Sequence, residues 1–212
     1  MASILDPTPP IRFQIARLRQ AVASDARFTD ADLLGLLNDG YRSACERSEC
    51  LETIVTIVFD PDATEAPLPS DHVRTIRVYQ AGAKLEPIPY QHSAELIAGT
   101  YYQYQGVIGL SVLGDPSGTA TIAMLYARTP VALGYDDTPE WGREWDYILR
   151  HYAAWQCILA SGGAQTIRKA VAERVAYEDG IRRLRHQAQR RWGSGLSRVR
   201  HASQIRVAPI AG

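Results

Sequence analysis

Three of the chain's four tryptophans fall in one stretch, DDTPEWGREWDYILRHYAAWQCILASGG (136–163), and no other stretch restricts the fold as much. Trp141, Trp145, Ile148, Tyr152, Trp155 and Leu159 recur at spacings of three and four, which predicts one aromatic face of a helix. Asp137 or Thr138 is suited to cap the first turn, with Pro139 at the first helical position, where a missing N–H costs nothing. Gly162 and Gly163 end it. A helix this aromatic needs partners, so it is the expected spine of the core.

The flanking segments supply them. Ile11, Ile15, Leu18 and Val22 form one stripe over 11–24, behind Pro9 and Pro10. Thr29 and Asp32 make a variant of the capping box that starts a second helix, with Leu33, Leu37, Tyr41 and Ala44 on its apolar face. A long helix is predicted from Ala164 to about Trp192, with Tyr177, Ile181, Leu184 and Ala188 as its seam. At 1.5 Å per residue it would run about 43 Å, and Gly180 argues against a straight one.

From Thr53 the period changes. TIVTIVF (53–59) reads as a buried strand, and the Pro- and Asp-rich 60–71 as a loop unable to hold a ladder. VRTIRVY (73–79) alternates, and Ala81-Gly82 turns it into KLEPI (84–88). Residues 93–98 suit a helical turn or two. TYYQYQG (100–106) leads into VIGLSVL (107–113), where Ile108, Leu110 and Val112 share a face; GDPSG (114–118) is a turn. TATIAMLYA (119–127) sets Ile122, Met124 and Tyr126 on one side. About five short strands flanked by helices predict an α+β protein: a helical bundle with a small antiparallel β-sandwich or barrel inserted. The expected parts are N-terminal helices (1–50), the β-domain (51–130), C-terminal helices (136–193) and an extended basic tail (194–212).

Catalytic and ligand motifs are hard to find. There is no GxGxxG or GxxxxGK[ST], and GLSVLG (109–114) misses the GxSxG spacing by one residue. His72, His92, His151, His186 and His201 are scattered, and Cys45 and Cys50 lack the third and fourth ligands of a structural zinc. Asp136, Asp137 and Glu140 precede a helix, where capping and dipole stabilisation account for them. The expectation is no enzyme, no metal and no cofactor. Three cysteines without a CxxC pair read as free thiols, the N-terminus has no signal-peptide pattern, and no apolar run reaches membrane-spanning length.

Charge is the stronger signal. The formal net charge is zero, yet eleven Arg or Lys against three acids (Glu173, Glu178, Asp179) follow Ala164, leaving 12 basic and 20 acidic residues before it. Either DNA phosphates or an acidic protein surface would answer such a basic end. Arg182, Arg183, Arg190, Arg191, Trp192, Arg198, Arg200 and Arg206 are the candidate contacts. A non-specific DNA-binding module is therefore one reading of the chain.

The order of features supplies another. LPSDHVRTIRVY (68–79), GAKLEPI (82–88), YQYQGVIGLSVLGDPSGTATIAMLYARTPVAL (102–133) and the tryptophan stretch follow in a train that resembles the head-to-tail adaptor (connector) proteins of tailed bacteriophages. The resemblance covers about residues 29–190. It implies a helical bundle with an inserted β-domain, assembled as a ring, usually of twelve copies, at the virion neck. The implied partners are the portal protein, a tail nozzle or tail-completion protein, further copies of the chain and the packaged double-stranded DNA in the channel. It also implies synthesis in the host bacterial cytoplasm, no membrane and no catalytic residues. Trp141, Trp145, Tyr152 and Trp155 are then core or subunit packing residues. Trp145, Ile148 and Tyr152 should be buried within the subunit, and at least one of Trp141 and Trp155 should sit nearer a subunit interface.

Overall fold

The computed structural model describes residues 10–21, 27–60, 63–95, 97–110, 120–162 and 164–193. The chain divides into two compact units. Residues Glu52–Arg128 form one, and the segments before and after them form the other.

The helical unit holds four helices: α1 (Ile11–Ala21), α2 (Asp30–Ser48), α3 (Asp146–Ser161) and α4 (Ala164–Gly193). Thr29 is the N-cap of α2, its hydroxyl accepting from the Asp32 N–H while the Asp32 carboxylate accepts from the Thr29 N–H, the reciprocal arrangement the sequence predicts. α3 packs on α4, α2 and α1, and α4 also packs on α2. The predicted seam of α4 is buried at all four positions, Tyr177, Ile181, Leu184 and Ala188. Gly180 sits in that seam for steric reasons. A Cβ there would lie 2.7 Å from Ile148 Cγ1, so hydrogen is the largest substituent that lets α3 approach this closely. Gly40 serves α2 likewise beneath Tyr152, with a Cβ contact of 2.9 Å.

The spine helix starts later than its sequence predicts. Residues 137–142 are non-helical, Arg143–Trp145 form one 3-10 turn, and α3 begins at Asp146. Asp137 does not cap α3; its carboxylate accepts from the Gly134 N–H at 2.7 Å and closes a local turn. The physical reason lies on α2. Tyr41 accepts a hydrogen bond from the Glu140 N–H at 2.8 Å and meets the Trp141 ring edge-on, with centroids 4.8 Å apart. That docking holds the segment extended through Gly142 (φ −71, ψ 150). The same segment receives α1: the Ile11 and Arg12 N–H groups, orphans of a first turn, donate to the Asp137 and Tyr135 carbonyls at 2.9 and 3.0 Å.

The second unit is a single seven-stranded sheet: β1 (Glu52–Val58), β2 (Glu65–Pro67), β3 (His72–Gln80), β4 (Ala83–Pro87), β5 (Thr100–Tyr104), β6 (Val107–Leu110) and β7 (Thr121–Arg128). Their spatial order is β1-β7-β3-β4-β5-β6-β2. Every strand contributes to one apolar cluster, from Ile57 and Ala66 through Val78, Leu85, Tyr101 and Ile108 to Met124, so the sheet curls around its own core and is barrel-like. Ala81-Gly82 (φ 50 and 81) and Gln105-Gly106 (φ 46 and 82) are left-handed pairs closing two-residue hairpins.

Three strand expectations need correction. β1 is an edge strand with only Ile57 buried along its length, because no strand covers its outer side. Inside the supposed loop 60–71, β2 pairs with β6; a strand of three residues ending in Pro67 is tolerated because it too is an edge. The sheet is also not wholly antiparallel. β4 and β5 run parallel, joined through a 3-10 segment, Tyr90–Glu95. Val22, the expected strand beyond Leu110 with its GDPSG turn, and the tail 194–212 lie outside the described residues.

Candidate interaction surface

The last three turns of α4 carry the site. Its buried seam turns Leu184 and Ala188 inward, so Arg182, Arg183, Arg185, Arg190 and Arg191 all reach solvent. Asp179 tempers two of them, at 2.7 Å from Arg183 and 3.8 Å from Arg182, as exposed pairs one helical turn apart. Such pairs are worth little energetically but hold guanidinium forks in a shared orientation.

Beside this row the structure opens a groove of about 460 Å³, lined by Trp145, Arg183, His186, Gln187 and Arg190. Trp145 is half-buried rather than buried, because it lies on the 3-10 turn ahead of α3 and presents part of its indole to the groove. Two candidate contact arginines and one expected packing tryptophan thus meet at one place. Guanidinium groups next to an exposed indole suit a planar anion or an acidic, partly aromatic surface. Arg191 points elsewhere, into a smaller cavity of about 90 Å³ with Cys50, Glu140 and Trp141. The Trp192 side chain and Arg198, Arg200 and Arg206 lie outside the described residues.

The other aromatic candidates build the unit itself. Trp141 is buried against Tyr41. Tyr152, half-buried rather than buried, stands edge-on to both Trp155 and Tyr177, at 5.7 and 5.1 Å. Arg174 covers the Trp155 ring at 5.3 Å, so this indole meets its own subunit's guanidinium. His151 bonds Glu173 across α3 and α4 at 2.6 Å. The Cys45 and Cys50 thiols are buried and lie 3.7 Å apart, Cys50 donating to Cys45, and neither is in a disulfide.

One polar group was not singled out by its pattern. Asp146, at the start of α3, is buried and accepts from Gln14 Nε2 at 3.0 Å and Trp141 Nε1 at 3.4 Å. Burial pushes its carboxyl up to about 6 against the pull of its hydrogen bond from Trp141 and of Arg150, Arg143 and Arg17. It ties α1, the 137–142 segment and α3 together, and nothing in a one-dimensional spacing marks it.

Among the described residues no three His, Cys, Asp or Glu side chains converge to hold a metal ion, and no helix is long and apolar enough to cross a membrane. Cations and a partly exposed indole on an open helix face form a surface suited to contact with another macromolecule. The family model of the SU10 adaptor protein matches residues 14–201, and the chain belongs to that family, an adaptor of tailed phages. No curated protein matches the sequence.

Proposed function

We propose that the chain is a subunit of the ring that joins portal to tail at the virion neck, with the packaged double-stranded DNA passing through its channel. The observation that carries this reading is the cationic row of α4 with its Trp145 groove. Guanidinium forks bind carboxylate and phosphate alike, so the row suits an acidic portal surface, with the remaining cations turned to DNA. Residues 194–212, with three further arginines, extend the same contact to the portal, and the barrel-like unit meets the tail nozzle or tail-completion protein. Made in the host bacterial cytoplasm, the protein then acts only in the virion.

The test replaces the two groove arginines, Arg183→Glu with Arg190→Glu, in the full chain. Both are exposed, so the variant should keep the wild-type far-UV circular dichroism. It is expected to bind isolated portal rings at least tenfold more weakly. Unchanged portal affinity refutes the portal contact. If the variant instead loses only duplex affinity, and the slope of log K against log salt falls by about 1.8 (two phosphate contacts), the chain is a non-specific DNA-binding module.

A further inference from the structure

The first half of α4 carries an unpartnered apolar line. Ile167, Val171 and Val175 are 58, 55 and 62% exposed and are spaced by four, each about 40° further round the helix, so the line spans about 80°. β-branched residues at solvent positions lower helix propensity and offer nothing to solubility, so a row of three on one face marks a surface that is covered in use. Exposed Arg168 and Arg174 flank it, and the next position on the line, Asp179, pairs with Arg182 and Arg183.

A second apolar patch lies in the same unit, with the opposite border. Phe13 on α1 is 50% exposed, and Val131 and Tyr135 in the segment entering α3 are 71 and 42% exposed. The backbone bonds from Ile11 to Asp137 and from Arg12 to Tyr135 hold the start of α1 beside residues 135–137, with Val131 four residues upstream of Tyr135. Here the border is acidic: exposed Asp136, which also pairs with Arg12 at 3.0 Å, and exposed Asp137.

We infer that the α4 line (Ile167, Val171, Val175) of one copy docks on the Phe13–Val131–Tyr135 patch of a second copy. Charge complementarity commits the occupant. The α4 face against its own twin would bring the Arg168 and Arg174 flanks of the two copies together. The acidic patch against its twin would do the same with Asp136 and Asp137. The unlike pairing sets the cationic flank of the α4 line, Arg168 and Arg174, against Asp136 and Asp137 around an apolar centre, with the Arg12–Asp136 pair at its edge. The two faces belong to α4 and to α1 with its neighbouring loop, and both helices pack on α2 and α3, so each copy keeps one face free after using the other. That is a heterologous contact, which repeats and closes into a ring when its rotation closes. The inference rests on the ring reading above and names the faces that make it.

The experiment uses the full chain with Tyr135→Cys and Val171→Cys together, and each change alone, treated with a short bismaleimide; the native cysteines are buried. Mass photometry, with and without portal rings, reports assembly in the same samples. The double variant is expected to give a ladder of dimers, trimers and longer chains, and each single variant to stay monomeric on a denaturing gel. Arg168→Glu should weaken self-association at least tenfold, and adding Asp136→Lys should restore most of it. Dimers from Val171→Cys alone would overturn the unlike pairing. An internal crosslink within monomers would mean that the chain covers the line itself, and overturns the proposal. Assembly without any crosslink refutes these faces while leaving the ring intact. No assembly under any condition refutes the ring reading with it.

Discussion

Asp146 offers the most quantitative test of the helical unit. Its carboxyl is buried with two neutral donors and no cation in hydrogen-bond contact, and its folded value of about 6 stands against 3.8 for an ordinary aspartate. Raising the folded value of an acid favours the protonated native state. The ionised carboxyl therefore opposes folding at neutral pH, by about 3 kcal/mol at 1.36 kcal/mol per pKa unit. As pH falls through 6 the native state takes up a proton that the unfolded chain does not, and stability is gained until pH falls below about 4. Between pH 7.5 and pH 5 the linkage integral gives about 1 kcal/mol, or roughly 2–4 °C in Tm for a protein of this size.

Asp146→Asn removes the titration; its single amide oxygen keeps one of the Gln14 and Trp141 donors, and loss of the other is an offset that does not vary with pH. All four tryptophans belong to the helical unit, so denaturant unfolding followed by tryptophan fluorescence reads that unit. Taking the wild-type-minus-variant difference at each pH cancels every other titrating group that does not touch this site. The wild type should gain about 1 kcal/mol on the variant from pH 7.5 to pH 5. A difference that stays flat over that range, or that moves the other way, refutes the dominance of burial over the nearby arginines at this carboxyl.

Two other predictions address packing. Tyr41→Phe deletes the acceptor of the Glu140 N–H without altering volume, and should cost about 1–3 kcal/mol in the same fluorescence assay; an unchanged midpoint would mean water replaces the hydroxyl. Gly180→Ala gains about 1 kcal/mol of helix propensity but drives a methyl to within 2.7 Å of Ile148. The net should be a loss of about 1–2 kcal/mol, and Ile148→Val in the same chain should recover part of it. A stabilised Gly180→Ala protein would show that the two helices are free to separate.

What was legible in the sequence is what local chemistry decides. The Thr29–Asp32 box, the 177/181/184/188 seam and the alternation of Ile122, Met124 and Tyr126 each encode their structure within one or two turns of chain, and each is found in place. The start of α3 differs from its pattern because Trp141, Trp145 and Ile148 keep helical spacing whether or not the chain between them is helical. The deciding partner, Tyr41, lies about a hundred residues away. β2 was hidden for a related reason. Three residues with a proline have no pattern of their own, and their hydrogen bonds belong to β6. The parallel β4–β5 pair escaped because turn residues announce hairpins and nothing announces a crossover.

The same division separates the two halves of the functional reading. Cationic excess after Ala164 is a property of composition, so the α4 row was visible before any fold was known. Which arginines face one way is a property of the seam that buries the opposite side of α4. The groove beside Arg183 and Arg190 needs more, because Trp145 is available only on account of the late start of α3. Had the helix begun at Pro139, Trp141 and Trp145 would share its inner face and the arginines would stand over no indole. The docking of Trp141 on Tyr41 therefore does two things at once: it closes the core and turns the next tryptophan outward. Disrupting that docking should loosen the groove without touching any residue that lines it, and this is how a core position in such an adaptor can govern its contacts.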